Sequence, residues 1–515
     1  MDMKTKVYKL AFALVIALGF LTYSCADLVV ENLNEPDSEK ALANPDDLSS
    51  LAGGAFRTLH NAMQEYDGPA LAMITMADQG TCSWGNAGMK DLSSEPRNGF
   101  INSLTYSYFP VVRNLWEDSY ASISAVNDVL KAIEDQGVEM GEDGADTEMV
   151  RAWCYFVSGV AHGYLGLTYD QGNVIKWDTD LETLELTPYQ TLLDAGVELL
   201  DQAISIANGN SFEIPVKWMG GESYTNTELA ELASTYAARI LAYGPRNASA
   251  NAAVDWGKVL SYANNGIKKD LAPELGDNYD FYDFYMVYQI YPGWGRVDHR
   301  IINLMDPDYP SRWAEDGVNW TTPDGTDPGE ASSEDARLTS DFEFMADNDF
   351  RPDRGYYHFS HYRLSRYDDV ISRVWYGDVP HPSMLVWENE MLKAEALVRT
   401  GSVAQAVAVL NSADGARKVR GQLPDVTDTD ANKVLWHIFY EKDVELIDTG
   451  MGISFFDMRR RDMLQRRTIL HFPVPATELE IVQVPVYTIG GDPDGENVSD
   501  GSWTGQDGVT SPFNQ

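Results

Sequence analysis

Three short stretches set flat aromatic rings beside an amide, a hydroxyl or a guanidinium. They are Trp84-Gly85-Asn86, Tyr291-Pro292-Gly293-Trp294-Gly295-Arg296 and Asn319-Trp320-Thr321. An aromatic face suits the apolar C–H face of a pyranose ring, while amides, carboxylates and Arg bond hydroxyl groups. All three stretches lie in segments with little helical period, so their rings belong to loops. Packing is the competing role, because large aromatics are buried on average. Trp116, Trp153, Trp218, Trp256 and Trp436 lie in or beside helical patterns and are assigned to the core.

Other reactive-looking clusters read as structural. RGYYHFSHYRLSRY (354–367) holds His358 and His361 at a spacing that could share a metal on a helix, but no third ligand is placed beside them. Its Arg residues are expected to neutralise scaffold carboxylates. The basic run Arg459-Arg460-Arg461 with Arg466-Arg467 is expected to pair internally with Glu441, Glu445 and nearby acids. Asp492-x-Asp494-Gly495 has its glycine misplaced for a calcium loop. G-x-S-x-G, H-E-x-x-H, the P-loop and C-x-x-C are all absent. No metal or cofactor is expected. A glycosidase needs only two suitably spaced carboxylates, and 79 acidic residues leave such a pair open.

The elements that must position these residues are helical. MLVWENEMLKAEALVRTGSVAQAVAVLNSA (384–413) reads as two helices joined at Gly401, with the G-x-apolar-x-x-A step of a tetratricopeptide hairpin. One hairpin cannot bury both its faces, so neighbours must stack on it. Helical spacing recurs from Leu51 to Met63, Val112 to Ile133, Met149 to Leu167, Leu192 to Ile206, Leu229 to Tyr243, Val254 to Ala263 and Asn432 to Leu446. Asp46 or Asp47 is expected to cap the first of these, and Thr187-Pro188 to open the fourth. Gly159, Gly163 and Gly166 predict a close helix–helix approach, since glycine otherwise weakens a helix. The helical pairs span about 112–267 and 384–447. Two stretches without helical period interrupt them, 65–104 and 268–383, and 468–515 forms an irregular end. Short strands are expected at Arg296–Leu304 and Arg373–Tyr376. Insertions between repeats map to one face, often the binding face.

The chain has 515 residues, 44% of them hydrophobic, and a net charge of −41, so it can bury a core but offers nucleic acid no basic surface. Lys4, Lys6 and Lys9 precede an apolar run from Leu10 to Leu21, followed by Thr22-Tyr23-Ser24-Cys25. This reads as a secretory signal over residues 1–24 with Cys25 as a bacterial lipidation site, and 25–46 as a polar tether. Plain secretion is the alternative. The other cysteines, Cys82 and Cys154, match no zinc or redox spacing. A disulfide between them is open, and Cys154 is expected to be a buried thiol.

Several of these pieces, taken in order, resemble the SusD/RagB family of Bacteroidetes surface lipoproteins. They are the start ending at Cys25; NPDDLSSLAGGAFRTLH; Trp116 with Asn127; Arg151-Ala152; Asp255-Trp256 with Ala263; Asp335-Ala336-Arg337-Leu338; and Lys393-Ala394-Glu395-Ala396 with Arg399 and Gly401. The series closes with Glu441, Glu445-Leu446, Gly450, Phe456-Asp457, Arg459-Arg460 and FPVPATE (472–478). The C-terminal tail beyond Tyr487 departs from the pattern.

The resemblance implies a mainly α fold, a single domain over 47–515 built of tetratricopeptide-like pairs with irregular segments packed on them. It implies capture of an oligosaccharide, or in some members a peptide, for import through a SusC-like TonB-dependent transporter, on a lipid anchor at the outer membrane, without catalysis. It also ranks Trp84, Asn86, Tyr291, Trp294, Arg296 and Trp320 first as ligand-binding residues, since such sites tend to be built from these two loop regions. A secreted glycoside hydrolase is a further alternative, and a plain repeat adaptor disagrees with the long insertions.

Overall fold

Pro45, whose φ is already helical, opens the first helix, α1 (Pro45–Met63), and Asp46 and Asp47 put negative charge into its first turn. They lie inside the helix rather than at the cap position expected for them. In this computed structural model the described residues are 44–82, 85–94, 97, 100–311, 326–346, 360–374, 379–488 and 497–499. The signal segment, Cys25, most of the tether, His358, Asp492 and Asp494 lie outside them.

The chain continues through α2 (Pro69–Met76), strand β1 (Gly80–Cys82), α3 (Pro110–Glu134), α4 (Thr147–Thr168), α5 (Tyr189–Gly209), α6 (Asn226–Tyr243) and α7 (Trp256–Asn264). Then come α8 (Phe284–Ile290), β2 (Gly295–Val297), α9 (His299–Met305), β3 (Phe342–Phe344), β4 (Tyr362–Leu364), α10 (Val386–Arg399), α11 (Val403–Leu410) and α12 (Ala431–Glu445). The architecture is mainly helical with a few short antiparallel strand pairs.

Each long helix packs on the next: α1 on α3, α3 on α4, α4 on α5, α5 on α6, α6 on α7, then α7 on α10, which carries α11 and α12. The glycines of α4 permit the tightest step. A Cβ at Gly159 would lie 3.0 Å from the Gly196 carbonyl, and one at Gly196 only 2.8 Å from the Gly163 nitrogen. The hairpin of α10 and α11 closes as its sequence requires. Gly401 has φ +88°, its N–H donates to the Val398 carbonyl (3.0 Å), and Ser402 N–H reaches back to Leu397 (2.7 Å), a Schellman turn.

Two closed ionic clusters fasten the later segments. Arg337 donates to Asp335 (2.7 Å), Glu441 (2.8 Å) and Glu445 (3.1 Å), all buried, which clamps the insertion onto α12. Arg460 and Lys442 share Glu395 of α10 (2.6 and 2.7 Å), and Arg461 meets Asp457 at 2.8 Å. Within the basic run Arg460 and Arg461 thus pair internally, but with Glu395 and Asp457, while Arg459 donates to the carbonyls of Leu167, Leu470 and Tyr243. Glu441 serves Arg337 and Arg417, and Glu445 takes Arg337, Arg420 and Arg366 (2.8 Å). Arg363 pairs with Asp368 at 2.6 Å, the structural role expected for its segment.

Several local expectations are corrected. The stretch 65–104 is not wholly irregular, because PALAMITM (69–76) is helical and buried at every position. The strand expected at Arg296–Leu304 stops at Val297, where Asp298 accepts the Arg300 N–H (2.7 Å) and starts α9. Of the strand expected at Arg373–Tyr376, residues 373 and 374 end a helix, Asp368–Val374, and 375–376 lie outside the described residues. Thr187-Pro188 pairs with Gln171-Gly172 as a short strand before α5 begins. Trp116, Trp153, Trp218 and Trp256 are buried, whereas Trp436 is half-buried. Cys154 is a buried free thiol. Among the described residues, no helix is long and apolar enough to cross a membrane.

Candidate functional site

The site begins at the end of α1. Glu65 to Gly68 form a tight turn, closed by Gly68 N–H to the Glu65 carbonyl (3.1 Å), with Pro69 opening α2. This turn carries Glu65, Tyr66 and Asp67. The second wall is α8, capped by Asp283, whose side chain accepts the Met286 N–H at 2.8 Å. Burial raises the Asp283 carboxyl from the ordinary value to about 7. Two stitches hold the walls together: Tyr285 N–H donates to the Gln64 carbonyl (3.0 Å), and Asn61 bonds both the Tyr282 N–H (3.0 Å) and the Asp280 carbonyl (2.9 Å).

The third wall comes from the pairing of β1 with β2, in which Cys82 faces Gly295. That register brings Trp294, the residue before Gly295, toward the loop that carries Asn86. Gly295 cannot be larger: a Cβ there would sit 2.2 Å from the Gln289 carbonyl, where β2 crosses the end of α8. Tyr291 to Trp294 form a β-turn, with Trp294 N–H to the Tyr291 carbonyl at 2.9 Å and Pro292 at its second position.

Between these walls lies a cavity of about 650 Å³ lined by Glu65, Tyr66, Asp67, Asn86, Phe284, Val287, Tyr288 and Trp294. Its volume is that of a small-molecule site. The rings form a row: Tyr66 to Tyr288 at 5.8 Å between centroids, Tyr288 to Trp294 at 5.5 Å, and Trp294 to Tyr291 at 4.6 Å. Tyr291 is 40% exposed at the outer end of this row. Glu65 accepts a bond from Asn114 (3.4 Å). Burial, then the charges of Asp118 and Asp67, raise its carboxyl above the ordinary value, against the opposing effects of Asn114 and Arg113. Asp118 is likewise raised, by burial and by Glu117.

Of the six residues expected from sequence, Asn86 and Trp294 line the cavity and Tyr291 stacks on its edge. Arg296 is 2% exposed and turned into the protein, where it donates to the carbonyls of Pro292 (2.6 Å) and Gly295 (2.8 Å). It braces the turn that carries Trp294. Trp84 and Trp320 lie outside the described residues. Sequence reasoning missed Glu65, Tyr66, Asp67, Phe284, Val287 and Tyr288. The signal for half of them was the ring-dense run FYDFYMVY (281–288), which resembles core rather than surface. Among the described residues no group of three His, Cys, Asp or Glu is arranged to hold a metal.

A helical-repeat scaffold carrying an aromatic cavity walled by loops and the short helix α8 is the class that this architecture defines. No protein-family model matches the chain, and no curated protein does. Solved structures do match. A SusD-like protein from Bacteroides fragilis superposes with TM-score 0.57 at 14% identity, over 89% of this chain and 98% of its own. A SusD-like carbohydrate binding protein from Bacteroides vulgatus gives 0.55 at 14%, over 81% and 83%. Surface glycan-binding protein A from Bacteroides uniformis gives 0.53 at 15%, over 87% and 100%. The fold is that of the SusD superfamily.

Proposed function

We propose that this protein is a cell-surface glycan-binding protein that captures an oligosaccharide for import through a SusC-like TonB-dependent transporter. A lipid on Cys25 holds it to the outer membrane. The observation that carries the reading is the row of rings Tyr66, Tyr288, Trp294 and Tyr291 along an open cavity whose lining also includes Asn86, Glu65 and Asp67. Tyr66, Trp294 and Tyr291 keep ring surface exposed to sugar rings, with the buried Tyr288 packed between Tyr66 and Trp294, and the amide and carboxylates offer partners for hydroxyls. The shared fold with a carbohydrate binding protein and a surface glycan-binding protein supports it. The work of the site is binding, not catalysis.

Native gels containing different polysaccharides, run with protein beginning after Cys25, test this directly. One glycan is expected to retard the protein without releasing reducing sugar, and Trp294→Ala, Trp84→Ala or Trp320→Ala is expected to weaken the retardation. Released sugar makes the protein a hydrolase. Retention of a peptide in place of any glycan makes it a peptide-binding member of the same fold.

A further inference from the structure

The charges around the cavity carry information about which glycan it takes. Among the described lining residues there are two carboxylates, Glu65 and Asp67, and no Lys or Arg. Burial, and then the charges of Asp118 and Asp67, disfavour the ionised form of Glu65, and burial and Glu117 do the same to Asp118. The guanidinium that acts on Glu65 is already engaged: Arg113 donates to Asn114 (3.0 Å) and lies 3.6 Å from Glu117. Lys90 lays its aliphatic stem against Gly85 and does not line the cavity. The walls include the rings of Tyr66, Tyr288, Phe284 and Trp294. Ring faces carry negative quadrupole potential and attract cations, more strongly where water is partly excluded. Carboxylates crowded by like charge gain most from a cation placed between them.

Resting on the glycan-binding reading above, we infer that this cavity selects glycans bearing protonated amino groups, the chemistry of de-N-acetylated amino sugars, over neutral and anionic ones. An ammonium on a pyranose would sit between the Glu65 and Asp67 carboxylates while the C–H face of the ring lies on Trp294 or Tyr66, whose rings are only partly buried. A uronate or sulfate would meet the same carboxylates with no cation among the described lining residues to offset the repulsion.

Calorimetric titration of the folded protein with three oligosaccharides of similar length tests the inference. They are an N-acetylglucosamine oligomer, its de-N-acetylated counterpart with the amines protonated, and a galacturonate oligomer, with an oligolysine peptide as a fourth arm. The amine form is expected to bind about tenfold or more tighter than the acetylated form, a preference of about 1.4 kcal/mol, and to weaken as salt is raised. Glu65→Gln and Asp67→Asn, both near-isosteric, are expected to erase the preference, costing the amine form about tenfold more affinity than they cost the acetylated form. Equal binding of the two forms, a preference that survives both variants, or tighter binding of the galacturonate overturns the inference. Oligolysine binding without amino-glycan binding overturns it too. If none of the three oligosaccharides binds, the inference falls. The glycan-binding reading survives that result if the gels show a neutral glycan retained, and falls with it if they show none.

Discussion

Arg296 and Trp294 are two residues apart and have different tasks. Trp294 offers a ring to the cavity, while Arg296 holds the turn that aims it, through the Pro292 and Gly295 carbonyls. Removing a buried guanidinium leaves those acceptors without a partner, at about 1–3 kcal/mol for an unsatisfied buried group. Arg296→Ala is therefore expected to lower both the melting temperature and the affinity for the retained glycan, by about tenfold, or 1.4 kcal/mol. Trp294→Ala should lower affinity with a smaller effect on melting, because its ring is only partly buried. Parallel thermal melts and titrations separate the two. Asn86, Tyr291 and Trp294 were legible in the sequence because large rings and amides in glycine-rich loops, away from any helical period, stand apart from the core pattern. Arg296 was legible as important but not in its role, since a sequence does not show which way a strand residue faces. Glu65 and Asp67 were not legible, because acids that follow a helix in so acidic a chain look like ordinary surface.

At the scale of elements, hydrophobic period was the readable signal wherever one face of a helix meets solvent. The helices expected from Leu51 to Met63 and from Val112 onward all appear, and so does the hairpin at Gly401. The α2 segment carried no period because all eight of its residues are buried, and a helix apolar on every side has no face to detect. The ionic clusters show a similar division. Asp335, Arg337, Glu395, Glu441, Glu445, Asp457 and Arg460 carried the family resemblance, and they are the residues that close the buried networks. Which of them pair could not be read, since Arg460 reaches Glu395 across 65 residues of sequence. The α4–α5 contact makes the sharpest prediction at this scale. Gly196→Ala would press a methyl group against the backbone of Gly159 and Gly163, neither of which can rotate away as a side chain can. Overpacking costs about 1–3 kcal/mol. The variant is expected to melt several degrees lower, and Gly209→Ala, with open space around it, is expected to leave melting almost unchanged.

For the whole molecule, stability should fall away on both sides of an intermediate pH. The Arg460 and Lys442 charges overcome the opposing effect of burial and hold Glu395 and Asp457 well below the ordinary carboxylate range. Depressed groups of this kind stabilise the fold above their unfolded value, and the stabilisation is lost as pH drops. Asp283 behaves in the opposite sense. Its folded value of about 7 lies above the ordinary 3.8, so its contribution is complete below about pH 4 and is lost as pH rises toward 7. Asp170, raised to about 6 by burial, adds to this loss. Asp283→Asn keeps a side chain able to cap α8 and removes the charge. It is expected to melt higher than the parent at pH 8 and to lose that advantage near pH 4, as thermal melts across that range would show.

The pairing of Cys82 with Gly295, and the stitches from Asn61 and Gln64 to residues 280–285, join stretches more than 200 residues apart. Closing so long a loop is slow compared with forming adjacent helix pairs. A chain emerging from its N-terminus can stack α3 through α7 before α8 and β2 exist. The candidate binding face thus comes into being late in folding. A chain truncated before residue 280 would keep α3 through α7 but lack Phe284, Val287, Tyr288 and Trp294 of the cavity lining. The cavity is completed only on a scaffold that is already in place.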